Sequence, residues 1–412
     1  MKNKYRFPLS WLWVALCALA IFFTVPFART IQKFVSEKWG SELFGYAVLI
    51  STGVVFLLAL YILFFRLKIR SVLNYIWLFA IGCTYVYFTL KLWEAPEEAV
   101  HFLEYGLLGF FIFNALKLKI KDRTIFFTAF LIGCLIGIFD EILQWIVKGR
   151  FWDFRDVGLN ALSSGLFQAA IWLGIKPKEI SQKIQPRSLR TVSIYLAANI
   201  LLLGLCFSNT PKRVQNYTKA LPFLSFLQQE ETMNQFNLKH KDPEIGTFYS
   251  RLTIDELLSI DRRNAKDYGQ VLHEWKDKNY AEYLRAHPGI WVPMLYEIRV
   301  HIFRRDKRYE RALQTEDEKQ KKQNFFIAFK ENQILEKYFG HTMKESPYAW
   351  SEETTARVEA QIDKNNPYKS PVSASFFSPK SEKQMWIVIL IFLTFLFVAN
   401  WFPKRSSNSI DL

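Results

Sequence analysis

The first half of the chain alternates between long apolar runs and short polar segments. Runs of about 18 or more residues with almost no charge recur between residues 8 and 208, and one more lies at 385–402. Such a run is long enough to cross the hydrocarbon core of a bilayer as a helix. Residues 209–384 instead mix apolar and charged residues as water-soluble proteins do.

The apolar runs predict eight transmembrane helices, at residues 9–27, 43–65, 74–93, 99–116, 124–147, 156–175, 191–208 and 385–402. The fold class is therefore an all-α polytopic membrane protein with a mostly helical extracytoplasmic domain between the last two spans. The predicted domains are a membrane domain at 1–208 with seven spans, a soluble domain at 209–384, a C-terminal transmembrane helix at 385–402 and a cytoplasmic tail at 403–412. In the soluble domain, one long helical stretch is expected from Pro293 to Gly340, with the charged run 316–322 on its solvated face.

Basic residues alternate from one loop to the next, which predicts the orientation. The N-terminus, the second–third, fourth–fifth and sixth–seventh loops and the C-terminal tail share 17 Lys and Arg, whereas the three short loops between them share six. Because short cytoplasmic loops carry the excess of Lys and Arg, both termini are expected in the cytoplasm and residues 209–384 outside it. A cleaved signal peptide in place of the first span is the alternative, but the run is long and Pro26-Phe27 replaces the small residues of a cleavage site.

The distribution of charge along the chain indicates which classes of binding partner to expect. Of the net charge of +15, the membrane part carries +11 and the soluble segment only +4. Basic residues beside membrane spans meet anionic lipid headgroups, so we expect membrane lipids as partners and no nucleic acid. All four cysteines lie in apolar runs, which leaves the soluble segment to fold without a disulfide.

Ionisable residues interrupt the apolar runs at three places. His101, Glu104 and Tyr105 share one helix face at the start of the fourth span. The predicted orientation brings this face to the same depth as the end of the fifth span and the start of the sixth, near the outer interface. Charged groups at such depth are costly and usually pair, face a cavity or serve a function. The candidate site is His101, Glu104, Tyr105, Asp140, Glu141, Gln144, Arg150, Arg155, Asp156 and Asn160.

A purely structural role is the competing interpretation. These side chains can pair with one another or extend to the interface, and Asp156 can cap the sixth span. Gly133 and Gly137, four residues apart on the fifth span, indicate close helix packing rather than chemistry.

These polar motifs resemble the VanZ-like membrane family over roughly residues 8–175. The run 101–109, then Asp140-Glu141-Ile142-Leu143-Gln144, then Gly149-Arg150, Asp156 and Asn160 match that family's His, Asp-Glu-x-x-Gln and Gly-Arg pattern. The resemblance implies a bacterial cell-envelope protein, since the founding member is associated with resistance to the glycopeptide antibiotic teicoplanin.

Three functions stay open at this point. The first is binding of a lipid, a lipid-linked precursor or a glycopeptide at the outer leaflet, with Arg150 and Arg155 holding a phosphate or carboxylate. The second is an enzyme acting on a lipid phosphate, in which His101 serves as acid, base or nucleophile and Glu141 and Asp156 bind a metal or tune the histidine. The third is a scaffold or sensor that uses the soluble domain. No segment has strong metal-ligand spacing, so we predict no metal and no cofactor.

Overall fold

A computed structural model of the chain describes residues 5–148, 150, 152–228, 232–236, 238–276, 279–362, 366–373 and 381–401. The chain divides into two compact units, one formed by residues 1–206 with 386–412 and the other by residues 207–385. The predicted tail at 403–412 lies outside the described residues.

The first unit is a bundle of apolar helices. In chain order its helices are α1 (Arg6–Thr24), α2 (Ala28–Trp39), α3 (Glu42–Tyr61), α4 (Val72–Lys91), α5 (Val100–Leu116), α6 (Thr124–Trp145), α7 (Phe154–Ala169) and α8 (Pro186–Phe207), with a last helix at Glu382–Trp401. Two π-helical segments, Ile62–Arg66 and Ala170–Ile175, extend α3 and α7, and a 3-10 turn at Pro96–Ala99 leads into α5. Eight helices in the described part of the chain are long and apolar enough to cross a membrane, which confirms the predicted number and the all-α membrane fold.

Burial distinguishes the inner helices from the outer ones. The side chains of Tyr105, Leu108 and Ile112 on α5, and of Ile125 and Ala129 on α6, are fully buried. Five other spans, α1, α3, α4, α8 and the last helix, leave large apolar side chains exposed along most of their length, whereas no large apolar side chain described in α7 is exposed. In water that surface would drive aggregation, but lipid chains cover it at no cost. The pair α5 and α6 thus forms the centre on which the polar site is built.

Helix α2 was not predicted. Its basic residues were assigned to the loop between the first two spans, yet Ala28–Trp39 is helical. Ile31, Phe34 and Trp39 are exposed, and the ammonium group of Lys38 lies over the rings of Phe34 and Trp39. A short helix with exposed apolar and basic side chains is typical of one that lies in the plane of the membrane interface.

The second unit is mostly helical with one β-hairpin. Its elements are α9 (Pro211–Ala220), a 3-10 helix (Pro222–Gln228), β1 (Leu238–Asp242), β2 (Gly246–Ser250), α10 (Ile254–Glu274), α11 (Tyr280–Ala286), α12 (Pro293–Gln314), α13 (Glu318–Tyr338), α14 (Gly340–Lys344) and α15 (Glu352–Glu359), and the chain then enters the last helix, α16. The core lies between α10, α12, α13 and the hairpin, and includes Phe248, Leu257, Leu272, Ile298, Ile302 and Leu335.

Two features of this unit differ from the sequence analysis. The stretch from Pro293 to Gly340 is not one helix, because α12 ends at Gln314 and α13 begins at Glu318. Asp317 caps α13, and its side chain accepts from the backbone N–H of Lys319 at 2.9 Å. The charged run 316–322 therefore contains a helix boundary. The antiparallel hairpin, in which Leu238 faces Ser250 and Asp242 faces Gly246, was not predicted.

Candidate functional site

Three helix ends carry the polar residues of the first unit. His101, Glu104 and Tyr105 occupy the first two turns of α5, and Asp140, Glu141 and Gln144 the last two turns of α6. Asp156 and Asn160 lie in the first two turns of α7. Because α5, α6 and α7 pack against one another, these ends meet on one side of the bundle.

Two glycines on α6 allow α7 to approach closely. A Cβ atom at Gly137 would lie 2.8 Å from Cβ of Asn160, and one at Gly133 would lie 2.2 Å from Oγ of Ser164. No real side chain tolerates such distances without displacement of its neighbour. The predicted packing role of the two glycines is therefore confirmed, and this close contact sets the distance from Asp156 and Asn160 on α7 to the carboxylates of α6.

Helix α7 is capped by Asp153, not by Asp156 as the sequence had suggested. The Asp153 side chain accepts from the backbone N–H of Arg155 at 2.7 Å. Asp156, one turn inside the helix, has an Oδ1 atom that is buried without a hydrogen-bond partner. Its carboxylate is thus not used for capping.

Gln144 connects the arginine of the following loop to the carboxylates of α6. Arg150 donates to Oε1 of Gln144, and Nε2 of Gln144 donates to Oε1 of Glu141 at 2.8 Å. Asp140 accepts from the Tyr105 hydroxyl at 3.3 Å and lies 3.5 Å from the Gln144 amide. These contacts fix one oxygen of each carboxylate and the orientation of the amide between them.

Several buried polar atoms at this end lack a partner in the described part of the chain. They are Nδ1 of His101, Oδ1 of Asp140, Oε2 of Glu141, Oδ1 of Asp156 and both amide atoms of Asn160. Glu141 is 1% exposed and Asn160 is fully buried, so water does not reach their side chains freely. The nearest carboxylate oxygen to the His101 ring, Oε2 of Glu104, is 3.5 Å from Nδ1, longer than a good hydrogen bond. An unpaired buried polar group costs about 1–3 kcal/mol, so this end of the bundle is suited to a polar ligand.

His101, Glu141 and Asp156 come closest to one another. Each offers one possible ligand atom, and the three atoms lie within 4.8 Å of one another. Among the described residues this is the one group of three or more His, Cys, Asp or Glu side chains with ligand atoms so close. Their separations in the sequence, 40 and 15 residues, do not form a metal-binding motif, although the predicted topology placed all three at one depth.

Arg155 is the one exposed residue among the ten candidates. Its side chain is 58% exposed, forms an ion pair with Glu98 and lies 4.0 Å from Oδ2 of Asp153. The Arg155 side chain is thus exposed, unlike the buried groups, and it is not among the residues that line the adjacent cavity.

A cavity of about 430 Å³ opens next to the cluster. The candidate residues His101, Glu104, Asp140, Gln144, Arg150 and Asp156 line it. The lining also includes apolar residues of the end of α1 and the starts of α3 and α5, among them Ile21, Val25, Phe44 and Val100. The cavity lining thus combines polar and charged side chains with apolar ones.

Residues 11–174 match the VanZ/LLP1 family. This part of the chain, less than half of its length, is similar to that family. The match contains all ten candidate site residues and supports the resemblance found in the sequence. No curated protein and no solved structure matches the chain.

The same part of the chain also contributes cavity residues that the sequence analysis missed. Arg29 and Gln32 on α2, and Glu97 and Glu98 before α5, line the cavity. The amide of Gln32 donates to Oε1 of Glu97 at 2.5 Å, which holds α2 against the start of α5. The available signal was the 3.6-residue apolar spacing of Ile31, Phe34 and Trp39, which marks α2 as a helix rather than a loop.

Proposed function

We propose that this VanZ-like membrane protein binds the anionic headgroup of a lipid or lipid-linked envelope precursor in the cavity beside His101. The observation that carries the proposal is a cavity lining that combines charged side chains, among them Arg29 and Arg150, with apolar side chains of α1, α3 and α5. An amphiphile offers both kinds of contact, through its charged headgroup and its hydrocarbon chain.

The two arginines supply the recognition of an anion. Burial lowers the pKa of Arg150, and the neighbouring charge of Arg29 lowers it further. Arginine still keeps its proton under all ordinary conditions, so two positive charges share this part of the cavity. A phosphate or carboxylate between them would relieve their repulsion and accept charge-assisted hydrogen bonds.

The position of the cavity supports entry from the membrane. Helix α2, which contributes Ala28, Arg29 and Ile31 to the lining, exposes an apolar surface of the kind that rests in the interface. A lipid headgroup can therefore reach the arginines without leaving the interface. The charge pattern of the loops supports a cavity on the outer side, with both termini in the cytoplasm and residues 209–384 outside.

Cavity size favours a headgroup over a whole glycopeptide. A volume of about 430 Å³ lies in the range of pockets that hold small ligands. A glycopeptide antibiotic is several times larger, so only one of its substituents would enter. The proposal therefore gives teicoplanin-type ligands second place.

Enzymatic action on a lipid phosphate is a second candidate. The observation that favours it is the proximity of His101, Glu141 and Asp156, which lie next to a cavity lined by two arginines. A base or metal-activated water beside cationic groups is the arrangement that phosphate-ester hydrolysis requires. Phosphate release from a lipid phosphate by the purified protein, absent in His101→Ala, is the measurement for this candidate.

The test of headgroup binding compares two matched amphiphiles. Farnesyl phosphate and farnesol share a chain and differ in the charged group, so the purified protein should bind the phosphate more tightly. Arg150→Gln removes one charged donor, whose hydrogen bonds to an anion contribute about 1.5–3 kcal/mol, and should weaken phosphate binding by about 10–100-fold. Farnesol binding should stay unchanged.

The control variant is Arg66→Gln. It removes the same charge from an exposed residue at the end of the second span, away from the cavity lining. Equal effects of Arg150→Gln and Arg66→Gln on phosphate binding would contradict a specific site. Equal affinities of wild type for the phosphate and the alcohol would also contradict it.

A further inference from the structure

The cavity lining is rich in carboxylates. Glu97, Glu98, Glu104, Asp140 and Asp156 belong to it, and Glu141 is buried next to them. So many acidic groups at the end of three membrane helices repel one another and would repel an anionic headgroup. In the described part of the cavity lining, Arg29 and Arg150 are the Arg and Lys residues that balance part of this negative charge.

We propose that His101, Glu141 and Asp156 bind a divalent transition-metal cation, of the Zn²⁺ or Mn²⁺ class, beside this cavity. The separation of their ligand atoms, within 4.8 Å, is close to the largest distance between two ligands of one ion, about 4.4 Å for bonds of about 2.2 Å. Small side-chain rotations bring all three into the coordination sphere. The sequence predicts no metal, because ligands from three separate helices leave no spacing motif.

Unpartnered atoms at all three residues point to a missing ligand. Oε2 of Glu141 is buried without a hydrogen-bond partner, and so are Nδ1 of His101 and Oδ1 of Asp156. The other oxygen of Glu141 accepts from Gln144 at 2.8 Å, and Arg150 in turn donates to Gln144. Outer hydrogen bonds of this kind orient a metal-binding carboxylate and leave its second oxygen for the ion.

The ligand set selects the class of cation. One imidazole nitrogen and two carboxylates suit zinc, manganese or iron, whereas magnesium and calcium take mostly oxygen ligands. Three protein ligands leave a coordination position open, as in catalytic zinc sites. His101 and Asp156 line the cavity, so the open position is accessible from it.

A bound cation would make the cavity suitable for an anionic headgroup. It neutralises two of the carboxylates and adds a Lewis acid to the two arginines, so that a phosphate oxygen can complete the coordination. This last step rests on the proposed headgroup function, whereas the metal site itself rests only on the three side chains and their unpartnered atoms.

The experiment measures the metal alone. The full-length protein, purified in detergent and treated with a chelator, is dialysed against Zn²⁺ or Mn²⁺ and analysed for bound metal. Wild type should bind one ion per chain, and Glu141→Gln, which keeps the size of the side chain, should bind it at least tenfold more weakly. Glu179→Gln, at an exposed position in the loop after α7, should behave like wild type.

A second readout guards against misfolding of the variant. An ion that binds only the folded state raises the unfolding temperature by mass action, so metal should stabilise wild type and Glu179→Gln but not Glu141→Gln. The chelated forms of all three should unfold at similar temperatures. Absence of stoichiometric metal from wild type, or equal metal binding by Glu141→Gln, would overturn the proposal.

The proposed metal site and the proposed headgroup binding can be refuted independently of each other. If chelated protein binds farnesyl phosphate as tightly as metal-loaded protein, with Arg150→Gln still weaker, the ion has no role in headgroup binding and that part of the proposal is wrong. If one ion binds per chain but phosphate and alcohol bind equally, the metal site stands and the headgroup function is wrong.

Discussion

Replacement of Gly137 by alanine tests whether close packing of α6 and α7 builds the site. The new Cβ would lie 2.8 Å from Cβ of Asn160 and 3.4 Å from both Nδ2 of Asn160 and Cε1 of Tyr105. Carbon atoms in ordinary contact are about 3.5–4.0 Å apart, and Cβ of Asn160 is fixed to the backbone, so α6 and α7 must separate by about 0.7–1.2 Å at this point. Asp156 lies one turn before Asn160 and moves with α7 if the helix is displaced.

The expected energy follows from two opposing effects. An extra methyl group in a packed contact costs about 1–3 kcal/mol. Alanine is favoured over glycine in a helix by up to about 1 kcal/mol, which offsets part of that cost. Gly137→Ala should therefore destabilise the protein by about 0–2 kcal/mol. Gly158→Ala, on α7 where nothing lies within 4 Å of the added Cβ, should be neutral or stabilising.

The assay combines unfolding temperature in detergent with farnesyl phosphate binding. Gly137→Ala should unfold at a lower temperature than Gly158→Ala and should bind the phosphate more weakly, because its carboxylates and Asn160 are displaced. Gly158→Ala should bind as wild type does. Equal stability and equal binding of the two variants would refute the argument that this glycine contact positions the site.

Three further predictions concern orientation, pH and physiological role. In intact cells, a membrane-impermeant maleimide should label a cysteine placed at Lys266 but not one at Lys178, and both after lysis, since residues 209–384 are expected outside; the reverse pattern would invert the topology. In the second unit, burial raises the pKa of Asp242, but hydrogen bonds from Lys337 and Tyr338 outweigh it and hold the pKa well below its usual range. A lowered folded-state pKa stabilises the unit fully at pH values above the unfolded-state pKa of about 3.9, and this stabilisation is lost as the pH falls. The difference in hydrogen-exchange protection of the β1–β2 hairpin between wild type and Asp242→Asn should therefore shrink below about pH 4. A constant difference down to pH 2 would contradict this. Bacteria that express the chain should gain teicoplanin tolerance that Glu141→Ala and Arg150→Ala abolish; variants that accumulate normally and protect fully would show that the cluster is not the working site.

The membrane helices could be predicted because their signal is local. Each span is a single apolar run, and its length alone requires a helix that satisfies its own backbone hydrogen bonds. Counting the spans predicts that His101, Glu141 and Asp156 lie at one depth. The fourth span starts, the fifth span ends and the sixth span starts on the same side of the membrane. Their convergence in the structure to within 4.8 Å depends on helix rotation, which a count of spans does not give.

The missed features depend on contacts between distant segments. The sequence places Arg29 in a loop, and it reaches the cavity because α2 is hydrogen-bonded through Gln32 to Glu97 in the 3-10 turn before α5. The sequence groups Arg155 with Arg150 because of its position, yet its side chain is 58% exposed and pairs with Glu98 at the edge of the cavity. Asp153 rather than Asp156 caps α7, a difference of three residues that no apolar pattern resolves.

The β-hairpin was missed for a different reason. Strand β1 reads Leu-Lys-His-Lys-Asp and lacks the alternating apolar residues of a typical strand. Its register is set instead by the turn, where Asp242 accepts from the backbone N–H groups of Glu244 and Ile245 and Gly246 adopts a φ of 117°. Such a conformation favours glycine, so the Asp-Pro-Glu-Ile-Gly segment was the signal available in the sequence.

Mapping of a photoreactive lipid phosphate on the purified protein is the most direct test of the headgroup site. A farnesyl phosphate analogue with a photoreactive group near its headgroup should crosslink to α2, to the start of α5 and to the segment around Arg150, and excess farnesyl phosphate should prevent it. Arg150→Gln should reduce these adducts while Arg66→Gln leaves them unchanged. Adducts confined to the apolar groove that Ile194 and Leu201 form with Leu393 and Phe397, or to residues 207–385, would contradict the account.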